Sequence, residues 1–312
     1  MSVTLINKRK HIISLKDLSA QETLDIVNRG IEYSNHAVEL GHQLRNKVIG
    51  IYFTKTSTRT RTSFTTAGLR LGAQIIAYGP NDLQINTGES IEDTMQVLSR
   101  MLDGLVARTA GDPEVLRTFA KQDRMAIVNA MTADEHPTQA LADLTTMKKQ
   151  FGELSGLRIV YMGEGNNTAT ALAMALAKFP NIRISFFTPP GYQVDSQILK
   201  FAQEQAVGKN TVIEEFHDMK FLPTDADIVY TTRWQTTGTT KSDPNWRTLF
   251  EPFAVNDAIM AKYPNAIFMH DLPAHRGDEV EAAVIDGEKS IVFDQAENKA
   301  HSAKAVLEWC LG

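Results

Sequence analysis

Hydrophobic residues in the first half of the chain occur in short continuous runs separated by more polar segments with helical spacing. The runs lie at residues 48–53, 73–78, 105–107 and 126–128. Because strands buried on both faces of a parallel sheet read as continuous apolar runs, each run predicts one such strand. Helices are predicted over residues 90–101 and 137–151, and a capping box of Ser19 and Glu22 predicts an earlier one.

The second half repeats this alternation with a new set of apolar runs. They lie at residues 157–162, 182–187, 228–231 and 266–269. Helices are predicted over residues 168–178 and, near the end of the chain, about 302–311. A turn at 152–156 divides the two sets, so we expect an α/β protein with two doubly wound parallel-sheet domains, 1–150 and 151–312, and an interdomain cleft. Residues that follow strands are then the candidates for a site.

Composition and charge exclude several classes of protein. A net charge of −5 with 22% charged residues gives no general reason to expect binding to nucleic acid or to an anionic membrane. Cys310 is the only cysteine, which excludes an intramolecular disulfide and a cysteine-rich zinc site. No apolar run is long enough for a signal peptide or a membrane-spanning helix. We therefore expect a cytoplasmic protein.

The residues after the first predicted strand suit a phosphate group. Ser57, Thr58, Arg59, Thr60 and Arg61 combine three hydroxyls and two guanidinium groups at a predicted helix start. Helix N-termini offer free N–H groups to anions, and arginine binds phosphate oxygens in a bidentate way. A solvated helix cap with surface arginines remains an alternative, because serine and threonine are common caps.

A second polar cluster lies at the start of the predicted helix 137–151. His136 would stand at the helix mouth, where it could polarise a carbonyl oxygen, and Gln139 could accept a hydrogen bond from an amide. Arg108 ends another predicted strand and would point into the same cleft. The alternative for His136 is a purely structural role at the helix start.

A glycine turn follows the first strand of the second half. Gly163 and Gly165 resemble part of a dinucleotide fingerprint, but Thr168 replaces the third glycine, and the next strand ends without a ribose-binding acid. Asn166 and Asn167 could hydrogen-bond a substrate carboxylate or could cap the following helix.

Taken together and in order, these motifs resemble the aspartate/ornithine carbamoyltransferase family, and the ornithine branch fits best. The motifs are Ser-Thr-Arg-Thr-Arg at 57–61, Gly-Glu-Ser-Ile-Glu-Asp-Thr at 88–94, Val-Leu-Ser-Arg at 97–100, His-Pro-Thr-Gln-Ala-Leu-Ala-Asp at 136–143, Gly-Glu-Gly-Asn-Asn at 163–167, His-Asp-Leu-Pro-Ala-His-Arg-Gly at 270–277 and Glu-Asn-Lys at 297–299. The resemblance covers almost the whole chain and implies a final helix that packs back on the first domain.

The resemblance also implies a set of carbamoyl phosphate contacts. They are Ser57, Thr58, Arg59, Thr60, Gln84, Arg108, His136, Gln139 and Lys299. Gln84 matches a position that reaches into a neighbouring subunit's site, so a homotrimer with shared active sites is implied. Arg59, Arg108 and His136 would stabilise the negative charge that develops during acyl transfer. The resemblance further implies no metal and no organic cofactor.

The chain departs from the ornithine branch on the side of the second substrate. Thr232 replaces an aspartate of that branch, whereas Arg233 and Gln235 match carboxylate-binding residues of the aspartate branch. Asp271 replaces a cysteine and would attract a cationic amine or act as a base. Lys299 replaces an arginine, which exchanges a planar fork for a point charge.

These departures bear on the identity of the amine acceptor. The predicted acceptor contacts are Asn166, Asn167, Arg233, Gln235, Asp271 and Leu272. They suit ornithine or a related diamino acid such as 2,3-diaminopropionate, which would yield a ureido amino acid and phosphate. Aspartate is an alternative acceptor, although Asp271 would repel its side chain, and a non-catalytic homologue is a further alternative.

Overall fold

The first of two parallel sheets is built from the first half of the chain. The computed structural model describes residues 10–312. Four strands lie in the order β2-β1-β3-β4, and they are β1 (Val48–Phe53), β2 (Gln74–Tyr78), β3 (Gly104–Arg108) and β4 (Ala126–Met131). Strands β1, β3 and β4 are almost completely buried, as their apolar runs predict.

The second sheet is built from the second half of the chain. Its five parallel strands lie in the order β7-β6-β5-β8-β9, and they are β5 (Arg158–Met162), β6 (Arg183–Phe187), β7 (Val212–Phe216), β8 (Ile228–Thr231) and β9 (Ile267–His270). In each sheet the strand order reverses at an internal position, between β1 and β3 and between β5 and β8. The prediction of two doubly wound parallel sheets is therefore confirmed.

Helices flank both sheets. They are α1 (Ala20–Ser34), α2 (Arg59–Arg70), α3 (Ile91–Leu98), α4 (Pro113–Phe119), α5 (Pro137–Phe151), α6 (Asn167–Leu176), α7 (Ser196–Ala206), α8 (Trp246–Phe250), α9 (Asp257–Lys262), α10 (Ala282–Ile285) and α11 (Val292–Leu311). Helix α11 packs against α1, α2 and α5, so the end of the chain returns to the first sheet as expected. Among residues 10–312, no helix is both long and apolar enough to cross a bilayer.

Two predicted helices differ in their bounds from the structure, and one strand was not predicted. Helix α11 begins at Val292, ten residues before the predicted start, because its first turns carry polar residues that the fold nevertheless buries. Helix α3 ends at Leu98 rather than at 101. Strand β7 was not predicted, because Glu214 and Glu215 interrupt its apolar run at the edge of the sheet. The division into domains 1–150 and 151–312 stays a prediction.

The topology brings the ends of several strands to one place. Strand β1 runs into residues 54–58, and β3 ends at Arg108. In the second sheet, β8 and β9 end immediately before Thr232 and Asp271. Because all strands within each sheet are parallel, these residues lie at the carboxyl edges, where ligands bind in open α/β sheets.

Glu135 is a buried acid next to this edge. Its Oε1 accepts a hydrogen bond from the Leu15 N–H at 2.7 Å, and only 3% of the residue is exposed. Burial raises the pKa of Glu135 to about 7, although hydrogen bonds from Leu15 and Ser14 partly oppose the shift.

We expect Glu135→Gln to change the pH dependence of stability. The folded-state pKa is raised, so between pH 4.5 and 7 the unfolded chain releases a proton that the folded chain retains, and wild-type stability falls as pH rises. The variant cannot ionise, and at pH 8 it should be more stable by about 2–3 kcal/mol. Urea unfolding between pH 4.5 and 8 measures this difference, with the exposed Glu288→Gln as control. A gap between the Glu135→Gln and wild-type curves that is independent of pH would contradict the prediction.

Candidate active site

The carboxyl edges of the two sheets enclose a cleft of about 260 Å³. With one exception, the residues predicted for the site line it: Ser57, Thr58, Arg59, Thr60, Arg108, His136, Gln139, Asn166, Asn167, Arg233, Gln235, Asp271, Leu272 and Lys299. Residues more than 200 positions apart in the chain therefore share one cavity.

Gln84 is the exception. It lies on an exposed 3-10 turn, Gln84–Thr87, and its Oε1 accepts a hydrogen bond from the Thr87 hydroxyl at 2.7 Å. This turn does not line the cleft of its own chain. The expectation that Gln84 serves a neighbouring subunit stays a prediction.

The residues predicted to hold phosphate surround the start of helix α2. Thr58 occupies the N-cap position, but its side chain makes no capping hydrogen bond, so its hydroxyl is free to bind a ligand. Arg59 begins the helix, and Arg108, at the end of the neighbouring strand β3, is 93% buried. Burial, and after it the Arg59 charge, lower the pKa of Arg108 to about 10, while the charge of Asp271 partly opposes the shift. An anion between the two guanidinium groups would relieve this repulsion.

His136 occupies the N-cap position of helix α5 and is buried. Burial holds the pKa of His136 well below its usual range, and the charges of Lys299 and Arg108 add to the shift. The imidazole is therefore neutral at pH 7, and it can donate one hydrogen bond without introducing a further charge. Its Nδ1 lies 3.4 Å from the Thr138 hydroxyl.

The Gln139 amide is held from both ends. Its Nε2 donates to Asp143 Oδ1 at 2.9 Å, and its Oε1 accepts from Lys299 Nζ. Burial lowers the pKa of Lys299, while the charges of Asp143 and Asp271 oppose that shift. A cation and an amide oxygen are thus presented together at the wall of the cleft.

Asp271 lies on the opposite wall, and two threonine hydroxyls hold its carboxylate. Thr168 Oγ1 donates to Oδ2 at 2.8 Å, and Thr232 Oγ1 donates to Oδ1 at 3.0 Å. The side chain of Asp271 retains 13% of its exposure and lines the cleft. Neutral donors therefore orient the carboxylate while leaving its charge available to a cation.

The two asparagines of the glycine turn have structural hydrogen bonds. Asn166 Oδ1 accepts from the N–H groups of Thr168 and Ala169, which confirms the capping interpretation. Asn167 Nδ2 donates to the carbonyl of Thr132 at 2.9 Å and so connects the two halves of the chain. Both asparagines line the cleft, but these contacts already use part of their hydrogen-bonding capacity.

Arg233 and Gln235 line the acceptor side of the cleft. The Nε of Arg233, like that of Arg108, is buried and has no acceptor within residues 10–312. Gln235 Nε2 donates to the carbonyl of Thr239 at 2.7 Å, within its own loop. Arg233 therefore keeps a buried donor that an anionic ligand could use.

The glycine turn itself is explained by packing. A Cβ atom at Gly165 would lie 2.1 Å from the backbone nitrogen of Val194, so the crossing chain requires glycine there. The side chain of Thr168, at the position of the third glycine in a dinucleotide fingerprint, is instead directed to Asp271. Packing against the crossing chain therefore explains Gly165 without a bound dinucleotide.

Comparison with known proteins decides the family. A model of the carbamoyl-P binding domain of aspartate/ornithine carbamoyltransferases matches residues 10–149, and a model of the Asp/Orn binding domain matches residues 155–310. The chain belongs to the aspartate/ornithine carbamoyltransferase family. Members of this family are carbamoyltransferase enzymes, as the sequence motifs predicted.

Individual carbamoyltransferases match over nearly their whole length. An ornithine carbamoyltransferase from Nostoc punctiforme is 39% identical over 305 residues, covering 97% of each chain. One from Caldicellulosiruptor saccharolyticus is 40% identical over 311 residues, covering 97% of this chain and 99% of the relative. The solved ornithine carbamoyltransferase from Pyrococcus furiosus has a TM-score of 0.90 at 36% identity, with 98% of both chains covered.

Several residues that line the carbamoyltransferase cleft were not predicted as contacts. They are Thr56, Met131, Thr168, Thr232, Thr236, Thr237 and Pro273. Thr168 and Thr232 matter most, because they hold Asp271. Both were noted in the sequence only as replacements of expected residues, and that replacement was the available signal.

A buried ion pair holds the loop that carries Thr236. Glu164 Oε1 lies 2.5 Å from Lys241 Nζ, and Glu164 Oε2 accepts from the Thr236 hydroxyl at 2.8 Å. The Lys241 side chain is only 4% exposed, and its ammonium lies 4.0 Å from the Tyr192 ring centre. At the tip of this loop, Gly238 approaches the wall formed by the first half of the chain.

Lys241→Met should destabilise the protein by about 2–4 kcal/mol, because it leaves Glu164 buried without its cation. The double variant with Glu164→Gln removes the unpaired charge and should recover part of the loss. Urea unfolding of wild type, both single variants and the double variant gives the coupling energy. If the double variant equals the sum of the single changes, the ion pair does not stabilise the loop in this way.

Proposed function

We propose that this chain transfers the carbamoyl group of carbamoyl phosphate to one amine of a small diamino acid. The amine nitrogen forms a bond to the carbonyl carbon, and the bond from that carbon to the phosphate oxygen breaks. The products are a ureido amino acid and inorganic phosphate, which takes up the proton that the amine loses. No oxidant, reductant or cofactor is required for this balance.

The first half of the site suits carbamoyl phosphate. The start of helix α2, with Ser57, Thr58 and Thr60, offers N–H and hydroxyl donors to the phosphate, and Arg59 and Arg108 supply positive charge. The amide oxygen of Gln139 suits the carbamoyl N–H₂ group. This arrangement supports the carry-over of these contacts from the family motifs.

The same residues support a mechanism by charge stabilisation. As the amine attacks, the carbonyl oxygen becomes an oxyanion, and preorganised donors in a dry site stabilise it strongly. Arg108 and neutral His136 would donate to that oxygen, and Arg59 would stabilise the departing phosphate. Lys299 adds positive charge beside Gln139.

The position of Asp271 carries the proposal for the acceptor. In the ornithine branch, by the resemblance, the acid stands at the position of Thr232; here the acid stands at 271, where its charge acts on Arg59 and Arg108. The acid is therefore close to the residues proposed for carbamoyl phosphate. An ammonium group bound by Asp271 would lie near the reacting carbon, which favours a short diamino acid such as 2,3-diaminopropionate.

Arg233 supports a carboxylate at the other end of the acceptor, since its Nε is buried without an acceptor among the described residues. Asp271 is also placed to accept a proton from the acceptor's ammonium group, which frees the neutral amine to attack. Gln84 and the family resemblance support a homotrimer in which each cleft is completed by a neighbouring subunit.

A panel of amines tests the acceptor. Phosphate release from carbamoyl phosphate should be fastest with 2,3-diaminopropionate, slower with 2,4-diaminobutyrate and ornithine, and slowest with aspartate, whose carboxylate Asp271 repels. Mass spectrometry should detect the matching ureido product. Equal rates with ornithine and with the shorter diamines would contradict the proposed specificity but not carbamoyl transfer.

Variants of Asp271 test its recognition of the acceptor amine separately from the binding of carbamoyl phosphate. Asp271→Asn keeps the shape and removes the charge, and it should lower kcat/KM for 2,3-diaminopropionate about 10²-fold or more. The KM for carbamoyl phosphate should change little. The double variant Thr232→Asp with Asp271→Cys restores the ornithine-branch pattern and should shift preference toward ornithine. An unchanged preference in the double variant would show that these two positions do not select the acceptor.

A further inference from the structure

Asp143 is a fully buried acid directly behind the cleft. It lies on helix α5, one turn after Gln139, and none of its surface is exposed. Three hydrogen bonds reach its carboxylate: Oδ1 accepts from Gln139 Nε2 at 2.9 Å and from Gln295 Nε2 at 2.7 Å, and Oδ2 accepts from the Tyr230 hydroxyl at 3.0 Å. The donors come from α5, α11 and β8.

The chemistry of this carboxylate fixes which end of the Gln139 amide faces the cleft. An ionised carboxylate only accepts hydrogen bonds, so the N–H₂ of Gln139 must point towards Asp143. The Gln139 oxygen then points the other way, towards Lys299 and the cleft. A reversed amide would set its oxygen against the carboxylate and present donors to the ligand.

The same carboxylate is also linked to both chain segments that carry acceptor residues, directly through Tyr230 and indirectly through Gln295. Tyr230 lies two residues before Thr232 in the chain. Gln295, besides donating to Asp143, accepts a hydrogen bond from the His270 N–H at 2.9 Å, directly before Asp271. One buried acid therefore joins the Gln139 amide to the two segments that carry the acceptor residues.

We propose that Asp143 is a positioning residue that orients the Gln139 amide and thereby makes the cleft selective for an acyl phosphate or phosphonate that carries an adjacent amide N–H₂. The inference rests on the proposed function for the identity of the natural ligand. Asp143 acts through its acceptor oxygen on Gln139 and does not touch the ligand. Its negative charge is secondary in this role.

Two stable probes isolate the effect in the full chain without any acceptor amine. Phosphonoacetamide carries both a phosphonate and an amide, whereas methylphosphonate carries the phosphonate alone. Titration calorimetry gives the ratio of their affinities, which reports the amide contact separately from anion binding. A general distortion of the cleft would weaken both probes and leave the ratio nearly unchanged.

Asp143→Ala removes the acceptor and should lower the ratio about 10- to 100-fold, with methylphosphonate affinity nearly unchanged. Asp143→Asn is the matched control: its oxygen can still accept from Gln139, whereas the charge and the acceptor for the Tyr230 hydroxyl are lost. The ratio in Asp143→Asn should stay within about threefold of wild type. If Asp143→Ala does not fold by circular dichroism, Asp143→Ser takes its place, since it leaves a hydroxyl too short to reach Gln139.

A double-mutant cycle that combines Asp143→Ala with Gln139→Ala supplies the second test. If Asp143 acts through Gln139, then Asp143→Ala should lower the ratio no further once Gln139 is absent. An unchanged ratio in Asp143→Ala, or an equal loss in Asp143→Asn, would overturn the inference. If wild type shows no preference for phosphonoacetamide, the proposed carbamoyl phosphate site itself fails, and the inference fails with it.

Discussion

The cleft depends on burying cationic side chains together that form no direct ion pair within residues 10–312. Arg59, Arg108 and Lys299 all lose hydration there, and burial is the largest cause of the lowered pKa of each. Isolated buried charges are expensive, so nearby carboxylates are needed to offset them. Asp143 and Asp271 provide that offset, yet their close hydrogen bonds come from neutral hydroxyl and amide groups. The cations thus remain available to an anionic ligand.

This arrangement explains why both sheets and the last helix are needed. The first sheet delivers Arg59 and Arg108, the second delivers Asp271, and helix α11 brings Lys299 back from the end of the chain. Asp143 receives hydrogen bonds from α5, β8 and α11, so the elements that carry the two sides of the site share one buried acid. The hydrogen bonds around Asp143 therefore depend on helix α11 packing back against the first half of the chain.

The sequence predicted most of the strands because burial on both faces leaves continuous apolar runs, and it predicted many residues that line the cleft because polar residues follow those runs. The prediction failed where polar residues at the site or at the edge of a sheet interrupt the apolar pattern. Gln295, Asn298 and Lys299 are polar residues at buried positions of α11, which hid the start of the helix. The hydrogen bonds of Asp271 join residues 103 and 39 positions apart, and no local pattern indicates such contacts.

Those two hydrogen bonds make Thr168, Thr232 and Asp271 a single unit. A carboxylate at 271 needs donors, and the two threonines supply them from α6 and from the end of β8. An aspartate at 232 would place a second acid against the first, with repulsion in place of a hydrogen bond. The acid at 271 and the threonine at 232 therefore require one another. A change of acceptor in this family, on this physical argument, involves moving the acid and its donors together rather than altering one residue.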